Sequence, residues 1–134
     1  MSVGLILPPP VQEALTVHTA EAAETPIERE YVTPESREAL AREKARAFGV
    51  DEESFVRTLS CESMGFTWND QSLVIRKDGT REPSFGVAQF YMPSGLKTAT
   101  GEQITKEVAL DPEQALDAAA YNFSIGNQEH WACF

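Results

Sequence analysis

The chain has 134 residues, of which 42% are hydrophobic, and a formal net charge of -10 at neutral pH. This length fits one compact domain, and seven Phe, three Tyr and two Trp are enough to build its core. The negative charge argues against a nucleic-acid partner, because phosphate binding needs a positive surface, and no apolar stretch approaches the ~18 residues of a membrane helix.

Residues 1–32 mix Pro, Ala, Thr and Glu without a sustained period, which is typical of a flexible leader or linker that packs little. The first residues are apolar, but they lack a positively charged start and three prolines follow at once, so they make no convincing signal peptide. We therefore expect the folded domain to span residues 33–134.

Two helices are predicted at the start of this domain from their capping residues. Thr33 can cap the first helix with Pro34 at its first position, and Gly49 ends it. Asp51 opens the second helix, which has acidic residues in its first turn and apolar residues on one face, and Gly65 is placed to terminate it.

Glu62 lies three residues after Leu59, on or beside the apolar face of the second helix and near its C-terminal end. Partial burial disfavours a charged carboxylate there, and so does the negative end of the helix dipole. Most glutamates on helices are simply solvated. This position, however, predicts a raised pKa and makes Glu62 a candidate general acid.

A β-hairpin is predicted next, because two short runs with β propensity, 73–75 and 80–82, flank the turn residues Asp78 and Gly79. The remainder is predicted to be mainly helical. The clearest helix there begins at an Asp-Pro-Glu-Gln capping sequence at 111–114 and continues with small and apolar residues at core spacing. The predicted fold class is α+β, mainly α, with a small β-hairpin beside a cleft.

The most specific signal in the chain is the order Glu62-Ser63, a β region, and then Ser84, Gly86 and Gln89. A Glu-Ser pair at a helix end, followed by a hairpin and a Gly-x-x-Gln stretch, resembles the lysozyme-like superfamily. The closest resemblance is to the lytic transglycosylase (SLT-type) catalytic domain. It implies a lysozyme-like fold with the hairpin beside the active-site cleft.

The resemblance covers about residues 51–134 and implies cleavage of the β-1,4 MurNAc-GlcNAc bond of bacterial peptidoglycan, with Glu62 as the single acid/base residue. It implies a peptidoglycan glycan strand as the partner and a monomeric protein of the bacterial cell envelope, secreted or delivered by a phage. No cofactor and no metal site is expected, since two cysteines and two histidines are too few and too scattered.

The other residues of the pattern have a role in this interpretation and also a simpler alternative. Gly86 would let a sugar approach the backbone, and Gln89 would bind an acetamido or hydroxyl group, while Ser63 and Ser84 would hydrogen-bond to Glu62 or to sugar. Taken singly, the same residues are a packing glycine, a surface amide, and cap or turn serines.

A second carboxylate would decide between two reactions. Retaining glycosidases hold two carboxyl groups about 5 to 5.5 Å apart and inverting ones about 6.5 to 9.5 Å apart. Where lysozymes of the hen type place the second acid, this chain has Ser84, and the nearest acids are Glu82 and the turn residue Asp78. We favour a transglycosylase in which Glu62 works alone and the sugar's C6 hydroxyl forms a 1,6-anhydro end. A hydrolase that uses Glu82 is the alternative.

Cys61 and Cys133 can form one disulfide or remain buried thiols, and we favour the disulfide. It would tie the tail to the residue beside Glu62 and bring His130 and Trp131 near the cleft. Trp131 could stack on a sugar ring there, but we expect it to pack in the core. Tyr121 resembles a family tyrosine that supports the catalytic Glu, although its spacing also fits a plain helix aromatic.

Two functions of other classes remain open from the sequence. A wall-binding or structural module could keep this fold without turnover, although an intact Glu62 argues against it. A plain helical interaction domain would make the Glu-Ser and Gly-x-x-Gln agreement a coincidence.

Overall fold

The computed structural model describes residues 31–134, so nearly all of the predicted leader lies outside the described residues. In chain order the elements are α1 Pro34–Phe48, α2 Glu52–Glu62, β1 Ser84–Phe85, β2 Phe90–Tyr91, a first 3-10 turn Met92–Ser94, α3 Lys106–Leu110, α4 Pro112–Ser124 and a second 3-10 turn Gln128–His130. This part of the chain is mainly helical with a small antiparallel sheet, which confirms the predicted α+β, mainly α class. Within it, no helix has both the length and the apolar character that crossing a membrane requires.

The first helix begins and ends as its capping residues predict. Thr33 and Ser36 form a reciprocal capping box, in which the Ser36 N–H donates to Thr33 Oγ1 over 3.1 Å, and Pro34 occupies the first turn. Gly49 adopts the left-handed conformation with φ +71° and closes the C-terminal end. Local chemistry alone therefore sets the bounds of α1.

The second helix starts at the predicted cap but ends earlier than Gly65. Asp51 accepts from the Ser54 N–H over 2.9 Å, and Glu62 is the last helical residue. Ser63 caps the C-terminal end, because its hydroxyl donates to the Leu59 carbonyl over 2.8 Å. Glu62 thus stands at the C-terminal end of α2, as predicted.

The long helix near the end of the chain also follows its capping signal. The Asp111 side chain accepts from the Glu113 N–H over 3.2 Å, with Pro112 at the first position, and α4 ends at Ser124. The face that α4 turns inward is formed largely by alanines, which allows it to pack closely against α1. The short helix α3 before it was not predicted as a separate element.

The predicted hairpin folds back on itself but does not form the sheet. We call residues 72–84 the hairpin: Ile75 pairs with Arg81 as an isolated antiparallel bridge, and the Glu82 N–H donates to the Val74 carbonyl over 2.8 Å. The two-stranded sheet lies later, where β1 pairs with β2, so the predicted strand positions were wrong. The side chains of residues 73–75 are more than half exposed, and no core face holds them in a longer ladder.

The core continues from the helices into the sheet and the tail through a chain of aromatic rings. Phe55 contacts Phe123 edge-on at 5.0 Å between ring centroids, and Phe123 lies 5.1 Å from Trp131. Trp131 in turn lies 5.5 Å from Phe90, and its indole N–H donates to the Ala88 carbonyl over 2.8 Å. These contacts fix the segment after α4 against the sheet.

Gly86 is required by close packing against α3. It has φ +85°, and a Cβ added there would fall on the carbonyl group of Ala109, whose carbon would be 2.6 Å away. Gly86→Ala is therefore expected to lower the free energy of unfolding by about 3 kcal/mol, measured by chemical denaturation. Gly95 is the matched control, because it has φ +77° with open space around it, and Gly95→Ala should cost only about 1 kcal/mol. Equal losses in the two variants would contradict the packing explanation.

Candidate active site

A cleft of about 570 Å³ lies between the C-terminal end of α2, the hairpin and the segment that follows α4. Its walls combine two carboxylates, one arginine, one histidine, two aromatic rings and several small polar groups. The lining residues are Cys61, Glu62, Ser72, Val74, Arg76, Glu82, Ser84, Gln89, Tyr91, His130, Trp131 and Ala132. Segments far apart in sequence therefore meet at this cleft.

Glu62 is half-buried in the wall of the cleft, at the point where α2 ends. Its burial is the largest influence on the pKa of the carboxyl and raises it above the usual value. The Cys133 N–H, which donates to Glu62 Oε2 over 2.9 Å, opposes this rise, the charge of Glu82 adds to it, and the Ala132 N–H opposes it more weakly. Because the net direction is upward, more of this carboxyl is protonated near neutral pH than is usual for glutamate.

The disulfide between Cys61 and Cys133 is present, with 6.0 Å between the two Cα atoms, which confirms that prediction. It joins the residue before Glu62 to the residue whose N–H binds the Glu62 carboxyl. Trp131, two positions earlier, is buried in the core. The tail is thus held on both sides of Ala132, and the environment of Glu62 depends on that arrangement.

Glu82 lines the same cleft as Glu62, and its charge acts on the Glu62 carboxyl. The hydroxyl of Ser84 donates to Glu82 Oε2 over 2.8 Å, and Ser84 itself is buried at the start of β1. Ser84 was predicted to bind Glu62 or sugar. Its hydroxyl instead orients the second carboxylate, which points Glu82 toward the same space that Glu62 borders.

Gln89 borders the cleft at the turn between the two strands and has a positive φ of 49°. Its amide Nε2 donates to the carbonyls of Asp70 and Gly86, over 2.9 Å and 2.8 Å. These bonds fix the side chain and occupy both amide hydrogens. No donor within residues 31–134 reaches Oε1, so this oxygen is the group that Gln89 can offer to a ligand.

Three of the residues in the sequence hypothesis do not line this cleft. Ser63 is fully buried and uses its hydroxyl at the end of α2. Gly86 packs on α3, which supports the packing alternative. Tyr121 lies on α4, and its ring packs edge-on against Phe48 with 6.1 Å between the ring centroids. This contact supports the alternative that Tyr121 is an aromatic residue of the helix without a role in the cleft.

Sequence reasoning missed several residues of the cleft wall, above all Arg76 and Tyr91. Arg76 follows the exposed run of the hairpin, and Tyr91 ends β2 with a side chain that is 39% exposed. The charge of Arg76 and the aromatic ring of Tyr91 were visible in the sequence, but nothing local indicated that they line the same cleft as Glu62. His130, which was expected near the cleft, does line it, and so does Trp131, whose side chain is almost entirely buried.

A smaller, mostly apolar groove of about 310 Å³ adjoins the cleft and shares Glu62, Ser72, Val74 and Gln89 with its lining. Met64, Leu73 and Val74 form its exposed apolar surface, and Trp68 supports it with an indole N–H that donates to the Gln71 carbonyl over 3.0 Å. The space around Glu62 is therefore polar and charged on one side and apolar on the other.

No group of three or more His, Cys, Asp or Glu side chains is placed to hold a metal ion in the part of the chain that the structure describes. No protein-family model, no curated protein and no solved structure matches the chain. Its functional interpretation therefore depends on the geometry and the electrostatics of the cleft.

Proposed function

We propose that this chain is a peptidoglycan-cleaving enzyme of the lytic transglycosylase kind, with a lysozyme-like catalytic domain and Glu62 as its acid/base residue. The observation that carries the proposal is a half-buried helix-end glutamate with a raised pKa in an open cleft. Cleaving a glycosidic bond requires a carboxylic acid that is still protonated near neutral pH. A cleft with a polar side and an apolar side suits a glycan strand.

In the proposed reaction the Glu62 proton passes to the bridging oxygen of the glycosidic bond as that bond breaks. The Cys133 N–H then stabilises the carboxylate that remains, because a hydrogen bond to the charged form favours it. Glu62 next takes the proton of the sugar's own C6 hydroxyl while that oxygen bonds to C1. The products are a shortened strand with a 1,6-anhydro end and a strand with a free C4 hydroxyl.

The position of Glu82 supports a second candidate, a lysozyme-type hydrolase. Glu82 borders the same space as Glu62 and is oriented by Ser84, so it is available to activate a water or to stabilise positive charge on the sugar ring. In that case a water oxygen, and not the C6 hydroxyl, bonds to C1 and a reducing end forms. The two candidates share the role of Glu62 and differ in the role of Glu82.

Mass analysis of digested peptidoglycan tests the proposal directly. The protein is incubated with purified cell walls, and the soluble muropeptides are examined for anhydro or reducing ends, which differ by one water. We expect anhydro ends, and Glu82→Gln should change the rate by less than about tenfold because Glu82 is no reactant in that mechanism. Reducing ends, together with a loss of about 10³-fold in Glu82→Gln, would establish the hydrolase instead.

Two further outcomes would overturn both candidates. If the protein binds the walls but releases no muropeptide over a range of pH, it is a wall-binding module. If it neither binds nor cuts them, the lysozyme-like interpretation itself fails. The proposed location, at the cell envelope, secreted or phage-delivered, agrees with the disulfide, because such bonds persist in oxidising compartments.

A further inference from the structure

The cationic side chains of the described chain are mostly engaged, and Arg76 is the exception within the cleft. Arg42, Lys44 and Arg46 form ion pairs on the helices. Arg81, on the far arm of the hairpin, is held by the carbonyls of Ser72 and Gln71. Arg76 forms no ion pair or side-chain hydrogen bond with residues 31–134, yet it lines the cleft wall.

Arg76 has no ion-pair partner among the described residues, although acidic side chains lie in the same part of the structure. Two carboxylates, Glu62 and Glu82, border the same cleft, and neither lies within ion-pair distance of Arg76. Asp78 feels the charge of Arg76, but its carboxyl is bound by Thr80, whose hydroxyl donates to it over 2.7 Å. The guanidinium therefore keeps its hydrogen-bond donors available toward the cleft.

A guanidinium without an ion-pair partner in the described part of the chain, in the same cleft as two carboxylates, has a particular chemical use. A neutral sugar needs no cation, whereas an acidic ligand entering this cleft would be repelled by Glu82 and by the net negative charge of the protein. Guanidinium binds carboxylate with two parallel hydrogen bonds, which add both affinity and orientation. Arg76 is the cationic side chain of the cleft that can bind such a ligand, since His130 is the only other basic side chain among the lining residues of the described chain.

We propose that Arg76 binds a carboxylate carried by the glycan and thereby makes the cleft selective for an acidic, peptide-bearing strand over a neutral one of the chitin type. This inference rests on the proposed function, because it names the substrate class of the same cleft. Arg76 touches a substituent of the substrate and not the reacting bond. Its contribution therefore falls on binding more than on the chemical step.

The test compares two ligands and three proteins. Equilibrium binding and turnover are measured with soluble peptidoglycan fragments that carry stem peptides and with neutral N-acetylglucosamine oligomers of the same sugar length. The proteins are the wild type, Arg76→Gln and the control Lys77→Gln, which removes an equal charge from the neighbouring exposed position outside the cleft. Arg76 is itself exposed, so folding should survive its replacement.

We expect Arg76→Gln to weaken binding of the acidic fragments about tenfold and to leave the neutral oligomers within about twofold. KM for the acidic fragments should rise with little change in kcat, and added salt should weaken their binding to the wild type more than to the variant. Lys77→Gln should resemble the wild type. Equal effects on both ligands, or the same loss in Lys77→Gln, would overturn the assignment.

Failure of the inference is distinguishable from failure of the proposed function. Arg76-dependent binding of acidic fragments without any cleavage would support the carboxylate site and contradict the enzyme. Cleavage of acidic and neutral strands alike, unaffected by Arg76→Gln, would support the enzyme and contradict the site.

Discussion

Replacing Glu62 with Gln is expected to lower the rate of wall cleavage by about 10³-fold, measured as muropeptide release under saturating substrate. Gln has nearly the same shape and can still accept the Cys133 N–H, but it carries no transferable proton. The change therefore removes the proposed acid/base step and little else. Circular dichroism and thermal unfolding should be close to those of the wild type.

Glu43→Gln is the matched control for that variant. Glu43 is exposed on α1 and forms no ion pair with the described residues, so the cleavage rate of this variant should stay within about twofold of the wild type.

The wild-type cleavage rate should also fall as pH rises through the raised pKa of Glu62, because the deprotonated carboxylate cannot donate a proton. A Glu62→Gln variant that clears walls at more than about a tenth of the wild-type rate would exclude Glu62 as the acid.

Replacing Cys133 with Ser is expected to lower the free energy of unfolding by about 4 kcal/mol, measured by denaturant titration without reductant. The bond closes a long loop, since its two cysteines are 72 positions apart in sequence, so its loss gives the unfolded chain much more conformational freedom. The N–H of residue 133 should also hold Glu62 less firmly, because the tail is then held by the packing of Trp131 and Phe134 and no longer by a covalent bond. Cleavage should fall along with stability, even at temperatures where the variant is folded.

Cys61→Ser and the double variant serve as the controls. Each removes the same bond, so all three proteins should lose the same stability, and the two single losses should not add. Reduced wild-type protein should behave like them. If a reductant left both stability and cleavage of the wild type unchanged, the disulfide would have no part in holding the tail against Glu62.

The helices were predictable because their signals are local. Thr33, Asp51 and Asp111 each cap a helix through a side chain two or three residues from the N–H it accepts, and a single sequence contains that information. The position of Glu62 at the end of α2 followed from the same pattern. The disulfide was the favoured pairing because the chain has only two cysteines.

The cleft itself was not predictable to the same degree, because distant segments build it. Gly86 had two interpretations, the approach of a sugar and a packing glycine, and its φ and its closeness to Ala109 support the packing one. Ser84 holds Glu82 and not Glu62, and only the folded hairpin brings these two together in this way. Arg76 went unnoticed for the same reason, since its direction depends on how the hairpin pairs.

The hairpin is attached to the domain at its base and exposed along the rest of its length. The Ser72 N–H donates to the Ser84 carbonyl over 2.8 Å at that base, while the side chains of residues 73–81 all lie at the surface. Changes there remove almost nothing from the buried core. We therefore expect this segment to tolerate exchange, lengthening or a change of charge, by protein engineering or by natural divergence, which would alter what the cleft binds while the scaffold and Glu62 stay as they are.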